Sequence, residues 1–164
     1  MIHILLGYGS SLLRGSNILK IIWVLIIGVF ILNIIFKSNR NEEAFLFAAY
    51  ISAAEVFIRM SKGMILYETG KYSVILFLLL GIFVGKFKQK FSVSLSFYLL
   101  LLLLGIVFTR VPEGEYIRKA IAFNLSGPFV LGIAGLYFYK RSITKENLMN
   151  ALFFMILPLF SMVT

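Results

Sequence analysis

The 164-residue chain carries 16 Lys and Arg against 7 acidic residues, a net charge of +9, and 60% of its positions are hydrophobic with only 14% charged. A soluble domain is about 45–50% apolar and about 25% charged, so a water-facing globule of this length is excluded, as are disorder, collagen and coiled coil. Cysteine and aspartate are absent and His3 is the sole histidine; zinc sites, thiol chemistry, disulfides and a Ser-His-Asp triad are thereby removed, and no metal or cofactor is expected.

The cations fall in short groups between apolar runs, the pattern of membrane-flanking charge rather than of a nucleic-acid stripe. The expected partner is the lipid bilayer, and nucleic acid is not one. The fold class that follows is all-α: a polytopic transmembrane helical bundle of about six spans, forming one integral-membrane domain over residues 1–164.

Met1 to Leu13 is apolar but holds His3, Gly7, Gly9, Ser10 and Ser11 and is too short to span; with Arg14 after the apolar stretch, it lacks the layout of a signal peptide. It reads as an interfacial piece or the tail of a missing helix. The first span is 18–36, uninterrupted apart from Lys20 and Asn33, which meets the length of about 20 residues that a hydrocarbon core demands. Further spans are expected near 44–60, 72–85, 91–108, 122–139 and 147–164. The fourth, with its unbroken Leu99–Leu104 run, is the most apolar. Neither end carries a flanking tail, so the expectation is a fragment of a larger bundle, truncated at the C-terminus.

Alternation divides the cations evenly. Lys37, Arg40, Lys86, Lys88, Lys90, Lys140, Arg141 and Lys145 fall on one side, and Arg14, Lys20, Arg59, Lys62, Lys71, Arg110, Arg118 and Lys119 on the other. The tight basic turns at 85–90 and 140–141 are typical of cytoplasmic connections, whereas the loops 59–71 and 109–123 are longer and mix acids, aromatics and glycine. The long loops are therefore placed outside.

Three groups of residues can carry chemistry. Ser52, Glu55, Arg59 and Lys62 recur at intervals of three and four, which puts them on one helical face, with Glu55 and Arg59 able to pair at i,i+4. Charge within a span faces a bundle interior or an aqueous cavity; the same pair equally fits a lock between two helices. In the loop that follows, Lys62, Glu68 and Lys71 flank Tyr67 and Tyr72. The cations suit a phosphate headgroup and the tyrosines an aromatic belt. Beyond Pro112, Glu113 and Glu115 favour the first turn of a short helix, while Asn124, Ser126, Gly127 and Pro128 are expected to break or kink the next span. Arg118 offers a planar donor fork suited to pyrophosphate, which Lys119 beside it cannot match.

At Ala54-Glu55-Val56-Phe57-Ile58-Arg59-Met60, Tyr67-Glu68-Thr69-Gly70-Lys71-Tyr72-Ser73-Val74 and Ile117-Arg118-Lys119-Ala120-Ile121-Ala122-Phe123-Asn124-Leu125-Ser126-Gly127-Pro128 the sequence resembles the O-antigen ligase and O-antigen polymerase family. The resemblance runs from about Asn41 to the C-terminus and corresponds to the N-terminal portion of such a protein. It implies a multi-pass protein of the bacterial inner membrane that works at its outer face. Such a glycosyltransferase moves glycan from an undecaprenyl-pyrophosphate carrier, with inversion and without a metal. Arg59, Arg118 and Lys119 then become carrier-facing groups, with Glu55, Lys62, Glu68, Lys71 and Asn124 as a supporting polar network. The family's large external loop, later helices and later histidine have no counterpart here, so its main catalytic residues are expected to be missing and the remaining helices of a full-length protein become partners. The alternatives are a transporter or flippase segment, favoured by a broken helix at 124–128 and by Glu55, and a membrane scaffold without activity.

Overall fold

The computed structural model describes residues 2–85, 92–110 and 116–162, with the side chains of 2, 4–6 and 117–119 outside that set. Among the described residues there are seven helices and no strand: α1 (Ile2–Leu12), α2 (Asn17–Lys37), α3 (Glu43–Met60), α4 (Thr69–Val84), α5 (Val93–Phe108), α6 (Ile117–Phe138) and α7 (Lys145–Phe160). The all-helical class holds.

Helix boundaries follow local chemistry. Hydroxyl side chains open three of the helices by accepting an amide of the first turn: Ser16 from Leu19, Ser92 from Leu95 and Thr144 from Asn147. At the end of α2 the chain turns left-handed at Ser38 and Asn39, whose amides close on the carbonyls of Ile35 and Ile34. Helix α4 starts three residues before the expected 72, because Glu68 and Lys71 lie within or beside its first turn. The apolar N-terminal stretch forms α1, docked on α7. Helix α6 runs without interruption through Pro128, so of the break or kink expected at 124–128 the break does not occur; the proline's missing amide removes one bond. The expected short helix at Pro112, Glu113 and Glu115 and the basic turn at 86–90 lie outside the described residues.

Successive connections alternate between the two ends of the bundle. At one end Gly15 N donates to Ser61 O, joining the α1–α2 turn to the end of α3. At the other, Asn39 Nδ2 donates to Gly81 O (3.3 Å), joining the α2–α3 turn to the end of α4. Helix α3 is central, packed on α4 and α7; α4 continues onto α6 and α2, and α5 leans on α6. The core is aromatic: Phe30 stacks on Phe47 at 4.2 Å, and Phe77 and Tyr50 meet Phe30 edge-on at 6.0 and 5.4 Å. Gly81 lets this core close, since a Cβ there would lie 2.6 Å from the Ala44 Cβ and 2.7 Å from the Tyr137 ring.

Among the described residues two helices are long and apolar enough to cross a membrane: α2 over its whole length and α6 over Ala120–Phe138. The expectation of six full spans is corrected to this. At 1.5 Å per residue the 16-residue α4, α5 and α7 reach about 24 Å against a hydrocarbon core of about 30 Å. Helix α3, at 18 residues, carries Glu43, Glu55 and Arg59.

The outer surface is unusually apolar. Helix α5 buries no residue at all, and Ile18, Ile21, Val24, Leu25 and Val29 of α2 are exposed. Meanwhile Asn39, Glu42, Glu43 and Glu68 are buried. The interior is apolar as in any globule, but large apolar faces of α2 and α5 stay uncovered and three carboxylates are buried at the bundle ends.

Candidate functional site

Two polar clusters sit at opposite ends of the bundle. The first lies where α3 ends and α4 begins. Glu55 and Arg59 share a face at i,i+4, and Arg59 donates from Nη2 (2.6 Å) and Nε (3.1 Å) to the same Glu55 oxygen. Glu68, 1% exposed, stands just before the first residue of α4 without a side-chain capping bond, where the helix dipole favours a carboxylate. Its two oxygens lie 3.5 Å from Arg59 Nη2 and 2.8 Å from Lys71 Nζ, the latter an ion pair without hydrogen-bond alignment. Lys71 Nζ also reaches the buried Ser126 hydroxyl at 3.3 Å, linking the cluster to α6. The close fit depends on Gly70: a Cβ there would meet the Glu55 carboxyl at 2.9 Å.

Of the residues singled out from sequence, Glu55, Arg59, Glu68 and Lys71 come together. Lys62 does not join them. Helix α3 stops at Met60, and Lys62 turns left-handed (φ 57°) toward Gly15, fully outside the face that it would share in a longer helix. Asn124 is exposed on α6 and stands apart from the cluster. Arg118 and Lys119 belong to the first turn of α6, with their side chains outside the described residues.

Beside the cluster opens a cavity of about 710 Å³, lined by Leu66, Tyr67, Glu68, Tyr72, Tyr116, Ala122 and Phe123. Its walls are the α3–α4 loop, the start of α4 and the start of α6. Tyr67 and Phe123 face each other with ring centroids 6.4 Å apart, and the Arg59 guanidinium lies 5.1 Å above the Tyr67 ring. The N-terminal ends of α4 and α6, both positive in dipole, meet at this cavity.

The electrostatics limit what the cluster can do. Two carboxylates balance Arg59 and Lys71, so it presents no net charge. With Nε and Nη2 engaged by Glu55, the edge of Arg59 at Nη1 keeps two N–H donors for a ligand. An anionic group arriving here gains from that edge and from the helix dipoles, and an apolar group gains from the tyrosine and phenylalanine walls. Among the described residues no three His, Cys, Asp or Glu side chains converge.

Of the second cluster the sequence reading noted only Arg141, in the tight basic turn at 140–141. Arg141 Nη1 donates to Glu42 Oε2 at 2.6 Å with both side chains 6% exposed, and the Tyr137 hydroxyl donates to the same oxygen. Asn39 Nδ2 donates to the Tyr137 hydroxyl (3.1 Å) and to Gly81 O, while Asn39 Oδ1 accepts from Ala44 N (2.9 Å). The Arg141 guanidinium also stacks 4.0 Å from the Tyr137 ring centroid. This network ties the ends of α2, α4 and α6 to the start of α3.

No family model matches the chain, and neither a curated protein nor a solved structure is similar to it.

Proposed function

We propose that the chain is a membrane-embedded helical unit forming the N-terminal part of an envelope polysaccharide (O-antigen) ligase or polymerase, incomplete for catalysis alone. In this reading the cavity at the start of α4 and α6 receives a lipid-linked glycan carrier. The observation that carries it is the juxtaposition of an aromatic cavity with the Arg59–Glu55–Glu68–Lys71 cluster, at the end of the bundle where Arg118 and Lys119 begin α6. An amphiphile with an anionic linkage and an apolar chain finds both of its chemistries there. The uncovered apolar faces of α2 and α5 support a bilayer as the solvent around the bundle. In this reading the protein is multi-pass in the bacterial inner membrane, with the cavity on the outer side.

Within this reading Arg59 is a half-committed donor, so the pyrophosphate is held mainly by Arg118, with Lys119 as a point charge. The transporter alternative loses its main support, because α6 is continuous where a broken helix was expected. The test is binding of undecaprenyl pyrophosphate to the protein in nanodiscs by native mass spectrometry. Saturable binding is expected to weaken at least tenfold in Arg118→Ala and less in Arg59→Ala, and undecaprenol lacking the pyrophosphate is expected to bind more weakly. Equal retention of the two lipids, or no effect of either substitution, overturns the reading.

A further inference from the structure

The α3–α4 loop borders two cavities. On its α6 side lies the larger one, with Glu68 in its wall and the Arg59 guanidinium over Tyr67 at its edge. On its α2 side a second, of about 170 Å³, runs between Ile27 of α2 and Leu76 of α4. Leu66 and Tyr72 line both, and both are exposed, so side chains alone divide the two spaces. The chemistry changes across that divide. The second cavity meets Ile27, Ile65 and Leu76, and the hydroxyls of its α4 wall are already engaged. Thr69 Oγ1 accepts from Leu66 N (2.8 Å) and donates to Leu66 O (2.6 Å), and Ser73 Oγ donates to Thr69 O (2.8 Å). The second cavity also leads away from the charged end. Gly63 of the loop sits against the start of α2, where a Cβ would lie 2.9 Å from the Trp23 ring, so α2 and α4 begin at the same end and descend side by side. Ile27 lies about 15 Å along α2 and Leu76 about 10 Å along α4, up to half the depth of a hydrocarbon core of about 30 Å.

We propose that the two cavities are the head and chain subsites of one amphiphile site. The anionic head occupies the larger cavity, and the first segment of its hydrocarbon chain passes over Leu66 and Tyr72 into the groove between α2 and α4. The chain enters that groove sideways from the bilayer, past the exposed Tyr72 and Leu76. This rests on the reading of the larger cavity as the seat of a lipid-linked carrier, and adds the path that the carrier's chain takes. A polar ligand gains nothing from the second cavity, and a neutral hydrocarbon gains nothing from the free edge of Arg59. Only a molecule with both chemistries, joined at the Leu66–Tyr72 divide, uses the whole site. The divide places Tyr72 at the junction of head and chain, and the descent of α2 and α4 aims the chain along the depth of the membrane.

Photocrosslinking of the full chain in lipid nanodiscs tests this, with a farnesyl pyrophosphate analogue carrying a diazirine at the far end of its chain as the probe. Adducts mapped by peptide mass spectrometry are expected at Ile27, Ile65 or Leu76, and excess undecaprenyl pyrophosphate is expected to displace them. Leu76→Trp fills the groove from an exposed position outside the charged cluster and is expected to lower the adduct several-fold. Leu100→Trp, on the exposed face of α5, is expected to leave it unchanged. Adducts that undecaprenyl pyrophosphate displaces but that map elsewhere, or a groove adduct untouched by Leu76→Trp, overturn the chain path and leave the carrier reading standing. Labelling that undecaprenyl pyrophosphate does not displace overturns the carrier reading and the chain path with it.

Discussion

Glu68→Gln tests the electrostatic core of the candidate site. The substitution preserves shape and removes one charge from a side chain that is 1% exposed and lies 2.8 Å from Lys71 Nζ and 3.5 Å from Arg59 Nη2. Breaking a fully buried ion pair by deleting one partner costs about 3–5 kcal/mol, and an exposed pair about 0–1 kcal/mol. Here the carboxylate is buried while Arg59 and Lys71 keep 36% and 33% of their side-chain surface, so solvent recovers part of the loss. The cost expected is about 2 kcal/mol, intermediate between those limits. For a chain of this size it corresponds to a fall in melting temperature of about 4–8 °C, read by thermal unfolding in a fixed detergent or nanodisc. Arg59 retains Glu55, so the orphaned cation is chiefly Lys71, and Glu68→Gln with Lys71→Met is expected to recover at least half of the loss. A melting point unchanged by Glu68→Gln, or a double variant that is additive rather than compensating, would refute this account of the cluster.

Four further outcomes are expected. Gly81→Ala drives a methyl to 2.6 Å from Ala44 Cβ and 2.7 Å from the Tyr137 ring and is expected to destabilise by about 1–3 kcal/mol. Gly28→Ala meets open space and is expected to stabilise by about 0.5–1 kcal/mol; chemical unfolding of the two variants side by side reads the contrast. Tyr137→Phe withdraws one donor from Glu42 and one acceptor from Asn39 and is expected to cost about 1–3 kcal/mol, visible as faster exchange at the start of α3. Single cysteines at Tyr67 and Lys140 are expected to react with a membrane-impermeant maleimide from opposite faces of sealed vesicles, and labelling of both from one face would contradict the alternation of the bundle.

What could be read from the chain depended on range. The span at 18–36 became α2 with a shift of one residue at each end, since an apolar run closed by Lys37 and opened by a capping Ser16 is complete locally. The Glu55–Arg59 pair was legible for the same reason: i,i+4 spacing is a property of one helix. Lys62 carried the right spacing and failed because the helix ended two residues earlier, at Met60. Helix α6 passed through a sequence rich in breakers because one missing amide is tolerable among intact turns. Arg141 was the largest miss. Its partner Glu42 is 99 residues away, and nothing local separates a buried arginine from its solvated neighbour Lys140. The cavity, too, joins Tyr67 to Phe123 across the bundle, whereas sequence presents Tyr67 simply as an aromatic at a membrane boundary.

The α2–α3 corner turns through three left-handed residues, Ser38, Asn39 and Glu42, without a glycine among them. Each such residue stores about 1–2 kcal/mol relative to ordinary backbone. The groups that hold the corner in shape, Gly81 O, Tyr137 and Arg141, are contributed by chain 42 to 99 residues downstream. A hairpin of α2 and α3 alone would therefore relax out of this geometry. The corner's native form depends on α4, on α6 and on the turn that follows it, so its shape records the assembly of the whole bundle rather than of its own hairpin.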